Sequence, residues 1–159
     1  MNKNLVLTLT ALVTLLFFAD GCKSGKTPDN FNEFDQNANE IIKRASKNYK
    51  DSITLLKENS ENQASDLQAK MKEKYDTHAK LENELKDLKA SNPEMEEFRK
   101  MFLKLLAIYQ ENMDAVYALV KKEKTDSVVG EIITKNEVEI KSLRSRYEQM
   151  RDDYRKKHH

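Results

Sequence analysis

The sequence predicts an all-α protein, an antiparallel up-down helical bundle with coiled-coil-like packing. Three observations predict it. Breakers are scarce, with 3 Gly and 2 Pro in 159 residues, against averages of about 7% and about 5%, so turns are few and helices are long. From residue 28 onward, apolar side chains recur at steps of three and four, the stripe a helix turns toward its partners. No stretch alternates with period two for long enough to make a strand.

The first segment runs from 28 to about 89 and opens on Thr27-Pro28, an N-cap followed by proline in the first turn. Its stripe reads Phe31, Phe34, Ala38, Ile41, Ala45, Tyr49, Ile53 and Leu56, then Leu67, Met71, Tyr75, His78, Leu81, Leu85 and Leu88. Between the two halves, Lys57 to Gln63 contains no large apolar residue. Two architectures are compatible with that gap. If the chain reverses there, four helices of similar length form the bundle. If it runs straight, a first helix of ~90 Å overhangs two shorter ones. That overhang leaves Phe31 to Leu56 as an apolar stripe for a second copy to cover, a homodimer. Equal helix lengths favour four helices, and the lack of Gly or Pro at the gap favours three.

The second segment starts at Ser91-Asn92-Pro93-Glu94, again an N-cap followed by proline as the first helical residue, and Ser91 with Glu94 also has capping-box spacing. Its stripe is Met95, Phe98, Phe102, Leu105, Tyr109, Met113, Val116 and Val120, with acidic residues at its start and Lys121, Lys122 and Lys124 at its end, as the helix dipole favours. The third begins near Thr125-Asp126-Ser127, with Gly130 in its first turn. Its stripe is Val129, Ile132, Asn136, Ile140, Leu143, Tyr147, Met150 and Tyr154. Asn136 on that stripe is expected to set helix register. The stripe tyrosines are expected at the core edge with solvated hydroxyls, and His78 in the seam with one nitrogen reaching solvent.

Ahead of the bundle lies a different kind of segment. Lys3 precedes an apolar run from Leu5 to Ala19, shorter than the roughly 20 residues a membrane-spanning helix needs and fitting the apolar region of a signal peptide. It ends in Ala19-Asp20-Gly21-Cys22, and Cys22 is the one cysteine, so no disulfide closes within the chain. Gly21-Cys22 resembles the end of the lipobox of bacterial lipoproteins, although Ala19 and Asp20 depart from its usual Leu and small neutral residue. The departures resemble the relaxed lipoboxes of spirochaetes and some other non-enteric bacteria. That resemblance implies cleavage between Gly21 and Cys22 and a covalent lipid on Cys22. It also implies outer-membrane sorting, because Lys23 rather than Asp follows the cysteine. A plain secretory signal and an uncleaved anchor are the alternatives. The domains expected are therefore a signal peptide at 1–21, a lipidated tether at 22–27 and a helical bundle at 28–159.

Composition and motifs narrow what such a body does. Charged residues make up 35% of the chain, yet the net charge is +1, without the basic excess of a nucleic-acid binder. No catalytic residue is expected, because the only histidines are His78, His158 and His159 and no Gly-rich phosphate loop or nucleophile elbow is present. No metal ligand is expected either: a di-iron bundle needs Glu-x-x-His, and Tyr75 stands three before His78. The run Arg144, Arg146, Arg151, Arg155, Lys156 and Lys157 is either a solvated helix end or a contact for an acidic polymer, headgroup or glycan. The function expected is a non-enzymatic envelope lipoprotein. Its membrane contact is the lipid anchor, and its bundle binds a protein partner, in general style similar to the small helical surface lipoproteins of spirochaetes. A periplasm-facing structural or assembly factor is the alternative, as is a holdase chaperone. Periplasmic holdases of similar size carry a β-rich trimerisation core, and no strand pattern is present here.

Overall fold

The computed structural model describes residues 29–58 and 64–158. They form four helices, α1 (Asp29–Glu58), α2 (Ala64–Asp87), α3 (Pro93–Val120) and α4 (Asp126–Lys157), and no strand occurs among the described residues. α1 packs along α2 and along α3, so the chain reverses between Glu58 and Ala64 and the continuous first helix is excluded. The stripe from Phe31 to Leu56 is buried within its own bundle, and with it goes the reason for a homodimer. The Thr27-Pro28 cap lies outside the described residues.

α3 is the central helix and packs on all three others. Its sequence explains why. Apolar residues occupy adjacent positions at Met101-Phe102, Leu105-Leu106, Ile108-Tyr109 and Ala115-Val116, and all eight are buried. Doubling at each turn widens a stripe into an arc broad enough for several neighbours. α1 runs parallel to α3, while α2 and α4 run antiparallel to both. Full burial of side chains such as Phe102 and Leu105 contributes about 1.5–3 kcal/mol each.

The helix ends are built by side chains. Asn92, rather than Ser91, caps α3: its Oδ1 accepts from the Met95 amide at 2.8 Å. Pro93 then occupies the first turn, where a missing N–H costs nothing. Ser91 instead donates to the Met95 sulfur, and Glu94 is engaged by α4, so the capping box does not form. Thr125 caps α4 as the sequence suggests. The end of α2 has no glycine; the Arg99 guanidinium, from α3, donates to the Lys86 and Leu88 carbonyls at 2.9 and 2.6 Å and fastens the α2–α3 turn. α3 closes in a Schellman motif: the Glu123 amide donates to Ala118 O at 2.8 Å and the Lys122 amide to Leu119 O at 3.0 Å. Lys122 sits at the left-handed position of that motif, with φ 61°, and the expected lysines fall just beyond the last turn of α3.

Candidate functional site

Gly21 and Cys22, the expected cleavage and lipidation positions, lie outside the described residues, as do the tether at 23–27 and His159. The helix they lead into begins at one defined end of the bundle. There the start of α1, the start of α3 and the end of α4 meet in an aromatic cluster. Phe31 stacks on Tyr154 at 4.0 Å between centroids and tilts against Phe98 at 5.2 Å, while Tyr147 packs on Phe98 and Phe102.

Beside the cluster is a buried polar site that the apolar stripes conceal. Asp35, 8% exposed, accepts from the Tyr147 hydroxyl at 2.7 Å and from Asn39 Nδ2 at 3.1 Å. Asn39 Nδ2 also reaches the Tyr147 oxygen at 2.9 Å. Burial raises the Asp35 carboxyl above its ordinary range, against the pull of the Tyr147 hydrogen bond and the positive charges of Arg151 and Arg155. The Tyr147 phenol is raised in turn, by its own burial and by the Asp35 charge. The Arg151 guanidinium lies over the Tyr147 ring at 5.3 Å. The group clamps α1 to α4. A polar residue on an otherwise apolar stripe was its signal: Asp35 falls four after Phe31 and three before Ala38.

A second polar layer crosses the middle of the bundle. Asn136 is fully buried and donates to Asn112 Oδ1 at 2.8 Å and to Glu111 at 3.0 Å. Tyr49 and Tyr109 stack at 5.4 Å in the same region, the Tyr49 hydroxyl facing the Asn112 amide. Register-setting by Asn136 has its geometry here, since the Asn136–Asn112 bond forms in one alignment of α3 and α4. The tyrosines correct the expectation of wet hydroxyls. Tyr49, Tyr109, Tyr147 and Tyr154 are buried, and Tyr154 Oη accepts from Asn92 at 3.0 Å. His78 is a second correction. It is 2% exposed, its ring nitrogens have no well-formed partner, and burial lowers its pKa.

The basic run of α4 is largely occupied. Arg144 pairs with Glu148 at 3.0 Å, Lys157 with Glu94 at 2.5 Å and Lys156 with Asp153 at 4.0 Å. His158 packs on Tyr154 and reaches Glu94 at 3.3 Å, tying the end of α4 to the start of α3. No group of three or more His, Cys, Asp or Glu among the described residues is placed to hold a metal ion. No described helix is long and apolar enough to cross a membrane.

Toward the opposite end, a groove of about 530 Å³ lies between the first half of α2 and the last turns of α3. Ala69, Tyr75, Tyr117, Lys72 and Lys121 line it, and Met71 lies beneath its floor. The rings of Tyr75 and Tyr117 meet edge to face at 6.3 Å. Periodicity alone did not reveal it: Tyr75 was legible as a stripe residue, whereas Tyr117 lies beside its stripe. Comparison with protein-family models, curated proteins and solved structures finds no match to this chain.

Proposed function

We propose that the chain is a non-enzymatic envelope lipoprotein, anchored by lipid on Cys22, whose bundle mediates protein–protein interaction. The observation that carries the reading is the apolar run from Leu5 to Ala19 closing on Gly21 and the one cysteine of the chain. The fold supports it. Six residues, 23–28, separate Cys22 from α1, and six residues reach about 20 Å at full extension. The aromatic end is then the membrane-facing end, and the turn between α3 and α4 stands one helix length away, about 40 Å for α3. The described helices bury a continuous core among themselves, the compact body that the reading assigns to the anchor.

The test is metabolic labelling with palmitate in a diderm host, followed by fractionation, for the natural chain and for Cys22→Ser. The expected outcome is a labelled, membrane-bound chain and an unlabelled variant that leaves the membrane. An unlabelled natural chain, or a variant retained as strongly as the original, overturns the lipid anchor. Protease shaving of intact cells then separates a surface-exposed binder, which is digested, from a periplasm-facing one, which is digested only after the outer envelope is broken.

A further inference from the structure

We propose that the α2–α3 groove binds an anionic amphiphile, a small molecule with an apolar or aromatic body and one negatively charged head. Its size, about 530 Å³, lies in the range of small-molecule pockets, which are mostly apolar and aromatic with a few placed polar groups. Elsewhere among the described residues only Val128 and Val138 are large exposed hydrophobics, each alone, and such single residues mark no site. The seam is open because α4 packs on α3 without extensive contact to α2.

Charge selects the ligand. The charged residues lining the groove are Lys72 and Lys121, both cationic. Each holds a carboxylate outside it, Asp76 at 2.7 Å and Glu123 at 2.5 Å, but an ammonium has three donors and keeps others for a ligand. Lys121 also lies 5.4 Å from the centre of the Tyr117 ring, so the cation stays at the edge of the aromatic wall. The turn that follows, Lys121-Lys122-Glu123-Lys124, adds positive charge at the same mouth. At the inner end the Tyr75 phenol is raised by its burial and by the Asp114 carboxylate that it faces. The groove is therefore polarised along α3. An anionic head is favoured at Lys121 and Lys72 and disfavoured near Asp114, and the apolar body extends from the mouth across Tyr117 toward Tyr75. The inference concerns the bundle alone and stands whether or not Cys22 carries lipid.

The experiment uses the full chain in phosphatidylcholine nanodiscs, labelled at the methionine methyls, with water-soluble 4-phenylbutyrate as probe. Met71 lies under the groove, and Met95, Met101 and Met113 serve as core controls. The expected result is a saturable millimolar shift of the Met71 methyl with the controls still. 4-Phenylbutanol should bind about three- to fivefold more weakly, the scale of one half-exposed ion pair. Lys72→Gln with Lys121→Gln should abolish the preference for the acid. Ala69→Phe, at an exposed position, should fill the groove and abolish binding without altering the melt. The proposal is overturned by no saturable Met71 shift, by equal binding of the acid, the alcohol and 4-phenylbutylamine, or by all four methyls moving together. A concentration-dependent Met71 shift without probe, which would seat a second copy in the groove, overturns it as well.

Discussion

At the scale of single residues, the interior holds polar groups of two kinds. Asp35, Asn112 and Asn136 are bonded across helices and give the packing a direction. His78 is different: it is buried without a well-formed partner, and that burial costs stability. His78→Leu is expected to stabilise the bundle by about 1–3 kcal/mol, the penalty of an unsatisfied polar group, in guanidinium unfolding at pH 7. The pH dependence has a definite sign. Burial lowers the His78 pKa, with the Leu106 backbone and the Glu82 and Asp114 carboxylates opposing. The unfolded chain therefore takes up a proton first, near pH 6.5, and this site removes stability as pH falls through that value. The advantage of His78→Leu should grow from pH 7 to pH 5; an advantage that shrinks on acidification would contradict the lowered pKa. Helical spacing placed His78 on the right face. It could not report that the neighbouring α3 arc is wide enough to shut both nitrogens away from water.

At the scale of elements, the buried faces of all three helical segments were legible, because stripes at steps of three and four are the direct trace of a buried face. What the stripes could not show was how many neighbours each helix has. The doubled apolar positions of α3, Leu105-Leu106 and Ile108-Tyr109 among them, carried that information and mark it as the shared helix. Caps were legible to within one residue: Ser91 and Asn92 are both capable, and the backbone decided for Asn92. The α3 terminus was concealed, since a Schellman motif usually announces itself with glycine, and Lys122 holds the left-handed position here. A side chain in that conformation costs about 1–2 kcal/mol, partly offset in glycine by its greater freedom when unfolded. Lys122→Gly is therefore expected to raise stability by about 0.5–1 kcal/mol and the thermal midpoint with it. A lowered midpoint would show that Lys122 does something at this turn beyond closing the helix.

At the scale of the whole molecule, the polar gap from Lys57 to Gln63 left the helix count open between three and four. Tertiary packing of α1 on α2 decides for four, although no Gly or Pro marks the reversal. The difference has a measurable form. Ile53 belongs to the chain's own core, so Ile53→Glu should unfold a monomer, costing more than about 4 kcal/mol as a buried unpaired charge does. In sedimentation the natural chain should run as a monomer. A natural dimer that Ile53→Glu converts into folded monomers would restore the overhanging helix.

The six tyrosines give the bundle an optical scale along its length. The chain has no tryptophan to mask them. Tyr147 and Tyr154 stand at the aromatic end, Tyr49 and Tyr109 at the middle layer, and Tyr75 and Tyr117 at the groove. Near-ultraviolet dichroism, with one pair at a time replaced by phenylalanine, would follow the loosening of each third separately and show from which end the bundle begins to open.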